Sequence, residues 1–330
     1  MSLPISVVTG FLGSGKTTLL NRLLAGQSFG DTALLINEFG DIGIDHLLVE
    51  EVAPGTVLLP SGCVCCSVQG DLKQALLDLH SRRERGEVPA FQRVLLETTG
   101  LANPAPIVST LLRDPQLRGR FHMALLITVV DAEHAPMQQR LHPEWLVQVT
   151  AADRLLLSKI DRVDTHAIDA LQSTLRALNP TASQAFTHQI HEGDQTLLGE
   201  GARGASAADE VQGWQLFSPV TSHRHGTAEV CSLTFDTPLD WVAFGVWLSM
   251  LLRCHGERIL RVKGILDVLD SPHPIVIHGV QHTLHAPLHL NAWPVGSERC
   301  SRLVFIVRDL DTRLLRRSFN AFVGITGMAA

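Results

Sequence analysis

The chain has 330 residues, 45% of them apolar and 18% charged, with a formal net charge of −6. Those values fit an ordinary globular protein with room for two domains and exclude a disordered chain. An acidic balance with no long basic run argues against nucleic acid or an anionic membrane as the main partner. The opening "MSLPISVVTGFLGSGKTT" lacks the basic start of an export signal, and the longest apolar run, 241–252, is too short to span a bilayer. The expected compartment is therefore cytoplasmic, where clustered cysteines serve as metal ligands or redox groups more often than as disulfides.

Apolar runs recur along the first part of the chain: "ISVVTG" (5–10), "TALLINE" (32–38), "GTVLLP" (55–60), "RVLLETTG" (93–100), "MALLITVVDA" (123–132) and "RLLLSKID" (154–161). Nearly continuous Val, Leu and Ile is what strands buried on both faces of a parallel sheet require. Helical spacing in 17–25, 72–85 and 167–178 supplies crossovers, so residues 1–190 read as a doubly wound α/β domain with a mostly parallel sheet. Residues 191–226 contain a stretch rich in Gly, Ala and acids with little periodicity, and read as a linker. From 227 to 330 the pattern changes to strand (228–236), helix (240–254), strands (258–270, 273–287, 301–310) and a closing helix (312–322). That order predicts a smaller α+β C-terminal domain.

"GFLGSGKT" (10–17) fits G-x-x-x-x-G-K-[ST] between a predicted strand and a predicted helix. Gly10, Gly13, Ser14, Gly15 and Thr18 belong to a loop whose backbone N–H groups can curl around phosphate oxygens, aided by the positive end of the helix. Lys16 is placed to reach the β- and γ-phosphates and Thr17 to hold Mg²⁺. Glu97, at the end of a buried strand, is the candidate second metal group, acting through a metal-bound water. The Gly100 N–H is the candidate γ-phosphate contact. In "SKID", Asp161 can accept N1–H and N2–H of guanine, a donor pair that adenine lacks, while Lys159 can lie over the ring. A Gly-rich turn, a capping Glu97 and a plain helix start at Asp161 are the ordinary readings of the same residues.

Three of the six cysteines, Cys63, Cys65 and Cys66, fall within "SGCVCCSV" (61–68). With "GFLGSGKTTLLNRLL", "INEFGDIGID", "ETTGLANPAPI" and "SKID" in this order, the chain resembles the CobW-like P-loop GTPases, relatives of the nickel-delivery GTPases of urease and hydrogenase. "RVKGIL" and "GVQHTLHAP" resemble that family's C-terminal module. The resemblance implies a P-loop NTPase fold and a GTP-hydrolysing metallochaperone. GTP and Mg²⁺ would be bound, Zn²⁺ or Co²⁺ would be the cargo, and an unidentified metalloprotein would be the client.

By the same resemblance Cys63, Cys65 and Cys66 are the metal ligands, and thiolates suit borderline and soft divalent ions. Adjacent cysteines point different ways on a strand, so the site is expected on a turn, with a carboxylate, a His or water completing it. Glu38 and Asp41 lie in residues 37–45, which match a switch loop, and are the candidate carboxylates. A regulatory GTP switch with a structural zinc, and an ATP-dependent P-loop enzyme, are the alternatives. A homodimer stays open. The chain departs from the family in carrying Ser158 where Asn or Thr is usual, and in lacking a His-rich tract. Its 16 histidines are dispersed, densest at His223 and His225 and at His278, His282, His285 and His289, and read as ordinary surface or core residues, a weak metal-collecting site being the alternative. Cys231, Cys254 and Cys300 read as small core residues.

Overall fold

The computed structural model describes residues 2–24, 31–36, 57–60, 68–190, 224–225, 228–294 and 298–326. It divides into two compact units, residues 1–172 with 182–200 and residues 173–181 with 201–330.

The first unit is built on a seven-stranded sheet in the order β3-β2-β4-β1-β5-β6-β7. Its strands are β1 (Leu3–Thr9), β2 (Thr32–Ile36), β3 (Val57–Pro60), β4 (Arg93–Glu97), β5 (Phe121–Asp131), β6 (Arg154–Ser158) and β7 (Ser183–Phe186), and every pair is parallel. Burial of both sheet faces explains the unbroken apolar runs: Ile5, Val7, Val8, Leu34, Leu95, Leu96, Val129, Leu155 and Leu157 are each nearly or fully enclosed. Strand β7, "SQAF", is a short and half-exposed edge, so the apolar signal that reveals the others is missing from it.

Helices connect the strands: α1 (Lys16–Leu24), α2 (Val68–Glu84), α3 (Pro104–Arg113), α4 (Pro115–Arg118), α5 (Ala135–Leu141), α6 (Pro143–Ala151) and α7 (Thr165–Leu178). Three begin on a proline whose missing N–H would have no helical partner anyway. Asn103 caps α3 by accepting the Ala105 N–H at 3.0 Å.

The chain moves outward to one side of β1 through β2 and β3, returns to β4, then crosses to the other side at β5. Such a reversal opens a crevice beyond the carboxyl ends of the strands, where parallel sheets place ligands. The ends of β1, β4, β5 and β6 bring Thr9, Glu97, Asp131 and Ser158 to that edge.

The second unit carries an antiparallel sheet in the order β12-β11-β10-β14-β9-β8, with β13 also on β11. These strands are β8 (Arg224–His225), β9 (Ala228–Phe235), β10 (Ile259–Leu266), β11 (Ile275–Val280), β12 (Thr283–Leu284), β13 (Leu288–His289) and β14 (Ser301–Arg308). Helices α8 (Trp241–His255) and α9 (Thr312–Thr326) contribute Phe244, Trp247, Leu251, Leu315 and Phe319 to a core shared with Leu233, Val262, Leu266 and Phe305 of the sheet. Trp247 meets Phe319 edge-on with centroids 4.8 Å apart, a geometry that adds to simple area burial.

Cys231 and Cys300 are buried as expected, whereas Cys254 is exposed. It follows Val242, Val246 and Met250 at four-residue intervals, and all three are exposed. Helical phase carries it to that outer side of α8. Among the described residues no helix is long and apolar enough to cross a membrane.

Candidate nucleotide site

Residues 10–15 leave β1 in a conformation that only glycine takes easily at three points: φ is +144° at Gly10, +70° at Gly13 and +91° at Gly15. A Cβ on Gly10 would also strike the carbonyl of Val129 on β5. The loop closes on itself through Ser14 N–H to Phe11 C=O at 3.1 Å, and α1 starts at once with Lys16. Lys16 is buried, its Nζ donating to the carbonyls of Gly10 at 3.0 Å and Phe11 at 3.3 Å. The ammonium is thus held across the loop that the motif predicts for phosphate. Thr18 is exposed on α1.

Thr17 Oγ1 donates to Glu97 Oε1 at 2.8 Å, joining residues 80 positions apart. Glu97 is 1% exposed, so a carboxylate otherwise costly to bury sits beside a hydroxyl at the mouth of the loop. Two hard oxygen donors at this spot fit Mg²⁺, which takes one or two protein oxygens along with phosphate and water. Beyond β4, Thr98 Oγ1 donates to Thr9 Oγ1 at 2.8 Å, tying the β4 end to the root of the phosphate loop. Gly100 then packs directly on that loop: a Cβ there would lie 2.6 Å from the Leu12 nitrogen and 2.7 Å from its Cα. Gln148 of α6, fully buried, donates through Nε2 to the carbonyls of Gly100 at 3.1 Å and Ala102 at 3.0 Å. Nothing in the sequence marks this glutamine.

Beyond β6 the chain turns sharply. Lys159 adopts a left-handed conformation, φ +55°, and Asp161 follows in a short 3₁₀ turn with its carboxylate exposed. Ser158, the departure from the family pattern, donates to the Ser14 carbonyl at 2.7 Å. Its hydroxyl therefore ties the turn after β6 to the glycine-rich loop. The Lys159 Nζ donates to Asp131 Oδ2 at 2.7 Å, and His134 Nδ1 lies 3.0 Å from the same oxygen. Asp131 is 2% exposed. Burial pushes its carboxyl up, but the contacts with Lys159 and His134 outweigh that and hold it below the usual carboxylate value. Its position as the last residue of β5, at the edge where ligands bind, is the signal that could have singled it out.

The structure thus brings the phosphate-loop residues, Glu97, Gly100, Lys159 and Asp161 to one edge of one sheet. Cys63, Cys65, Cys66, Glu38 and Asp41 lie outside the described residues. Among the described residues, Asp131, Glu133 and His134 are the one trio whose ligand atoms lie close enough together for a metal ion. Lys159 on Asp131 and Arg162 on Glu133, at 3.2 Å, already balance their charge. The histidines of 273–289 form no such group among the described residues. His282 Nδ1 is instead 2.8 Å from the Leu252 carbonyl.

A glycine-lined loop between a central strand and a helix, a buried lysine across it and a hydroxyl–carboxylate pair at its mouth define a P-loop nucleotide-binding protein. Residues 4–186 match the family described as CobW/HypB/UreG, nucleotide-binding domain, and residues 228–323 match the cobalamin synthesis protein cobW C-terminal domain. The chain belongs to the CobW/HypB/UreG family. Over 319 residues it is 31% identical to the zinc chaperone YjiA of Escherichia coli strain K12, covering 96% of this chain and 97% of that protein. Identity to the zinc chaperone CobW of Pseudomonas aeruginosa is 30% over 347 residues, covering 94% and 88%. The crystal structure of Zn(II)-bound YjiA GTPase from E. coli superposes with a TM-score of 0.72 at 26% identity, covering 98% of this chain and 99% of that one.

Proposed function

We propose that this protein is a GTP-hydrolysing zinc chaperone in which the state of the nucleotide sets how tightly the cargo ion is held. The observation that carries the reading is the full-length likeness to a zinc chaperone combined with an intact phosphate loop, its Thr17 hydroxyl 2.8 Å from the buried Glu97. Lys16 and the amides of residues 13–18 bind the β- and γ-phosphates, and the Gly100 N–H senses the γ-phosphate. Thr17 and Glu97 are the residues that would hold Mg²⁺. When bound, that ion offsets phosphate charge. Among the described residues no general base is evident, and the attacking water is positioned by backbone or by carboxylates of residues 37–45.

Cys63, Cys65 and Cys66 hold Zn²⁺ as cargo, Co²⁺ being the other ion such thiolates suit, with Glu38 and Asp41 as the neighbouring carboxylates. Residues 37–45 stand in sequence between the phosphate loop and the cysteines, and in this reading they carry the coupling between the two sites. Hydrolysis relaxes it and releases the ion to a metalloprotein client.

Asp161 selects the base. Its carboxylate accepts two N–H donors from guanine, and an amide at the same place offers one donor and one acceptor, the pattern that xanthine requires. Asp161→Asn should therefore weaken GTP binding by roughly 100-fold or more and raise affinity for XTP, since the amide sets a donor against a guanine N–H and removes a charge-assisted bond. Parallel titrations of GTP, XTP and ATP check this. A wild-type preference for ATP would instead support the ATP-dependent enzyme.

A further inference from the structure

Asp131 is a buried acid at the nucleotide edge to which the reading above assigns no task. One oxygen does local work, capping the turn that leads into α5, where His134 makes no side-chain cap of its own; the other oxygen reaches further. All of the carboxylate is engaged. Oδ1 accepts the N–H of Glu133 at 2.9 Å and of His134 at 3.3 Å, while Oδ2 takes Lys159 Nζ at 2.7 Å and His134 Nδ1 at 3.0 Å. Arg162 Nη1 reaches Glu133 Oε2 at 3.2 Å, a second tie between the turn after β5 and the turn after β6. The register of the two strands makes this reach short, since Asp131 lies directly opposite Ser158.

Lysine has a long flexible stem and carries about 2 kcal/mol of rotamer entropy. A stem free to move makes a poor wall for a planar ring, because binding must then order it. Here both ends of the stem are fixed. The backbone is held in a left-handed turn at φ +55°, and the ammonium is held by a carboxylate that the β5 end and the His134 ring keep in place. Between those two points runs the methylene stem, two residues before Asp161 in the same turn, with the Lys159 side chain still 26% exposed. An apolar stem anchored at its charged end can cover the face of a purine.

We infer that Asp131 is a positioning residue for nucleotide recognition, fixing Lys159 as a preformed platform for the purine ring. The inference rests on the reading of residues 158–161 as the base site. It makes a prediction that a general structural role for Asp131 does not: the base half of the ligand should feel its loss and the phosphate half should not. The probes are a fluorescent GDP analogue and tripolyphosphate, which carries phosphates and no base, titrated into the full chain. Asp131→Asn should weaken the GDP analogue roughly 10-fold, the size of one charge-assisted contact, and leave tripolyphosphate within a factor of two or so of wild type.

Lys159→Met should give a similar loss, and the double variant no more than the larger single loss, because the two residues act as one unit. Unchanged GDP affinity in Asp131→Asn, equal losses for GDP and tripolyphosphate, or additive losses in the double variant would each overturn the inference. If Asp131→Asn does not fold, Asp131→Glu moves the anchor by one methylene and should give a smaller loss with the same split; no split would again overturn it. A wild-type protein that binds tripolyphosphate but discriminates no base would refute the base site itself, an outcome visible before any variant is compared.

Discussion

Lys16→Ala should lower GTP hydrolysis by about 10²- to 10³-fold, the loss typical when one preorganised donor to developing transition-state charge is removed. Its side chain reaches back over the loop, donating to the carbonyls of Gly10 and Phe11, and is 8% exposed. The ammonium is therefore already aimed across the loop, and reorganisation at the moment of reaction is small. Lys16→Arg should not restore activity, because a planar five-donor fork cannot occupy a place shaped around a compact ammonium. Single-turnover hydrolysis at saturating GTP is the measurement. A rate within tenfold of wild type would remove Lys16 from the chemistry.

Gly100→Ala should have the second-largest effect, acting through shape. The added Cβ would lie 2.6 Å from the Leu12 nitrogen and 2.7 Å from its Cα and Cδ2; the side-chain end can swing aside, but the two backbone atoms cannot. Gln148 holds the Gly100 and Ala102 carbonyls from the other side, so the turn cannot back away without breaking buried hydrogen bonds. Overpacking of this kind costs about 1–3 kcal/mol. Either the phosphate loop or the turn must shift, and the γ-phosphate contact proposed for the Gly100 N–H would be lost with it. GTP hydrolysis should fall at least tenfold or so, and GTP-analogue affinity should drop toward that of GDP. Equal retention of both nucleotides would mean that Leu12 yields.

Much of the architecture was legible because burial leaves a strong imprint. Six strands of the parallel sheet announce themselves as apolar runs, and the phosphate loop as a motif in its strand–helix context. Strand β7 did not, since an edge strand of Ser, Gln, Ala and Phe has one partner and no need for a continuous apolar face. Helices α3, α4 and α6 were readable in principle from Pro104, Pro115 and Pro143 at their starts, a punctuation easy to mistake for loop. Cys254 looked like core because an isolated cysteine is a small apolar residue, and only the four-residue phase from Val242 shows that it faces outward.

The candidate site divides similarly. Motif residues such as Lys16, Thr17 and Glu97 declare themselves through spacing. Residues that act by holding others do not. Gln148 and Asp131 become meaningful only when β5, α6 and the turns after β4 and β6 meet at one edge. Ser158 is the instructive case. Read against its family it looked like a loss, yet a short hydroxyl suffices where the Ser14 carbonyl is 2.7 Å away.

The central claim is that the terminal phosphate and the thiolate-held ion are coupled. Its most direct test is the Zn²⁺ affinity of the full chain, measured by chelator competition with a non-hydrolysable GTP analogue bound and again with GDP. A coupling of about 1–3 kcal/mol, typical of two linked sites, predicts tighter binding in the GTP-analogue state by roughly 5- to 150-fold. Equal affinities in the two states would contradict the account and leave a GTPase whose zinc is structural.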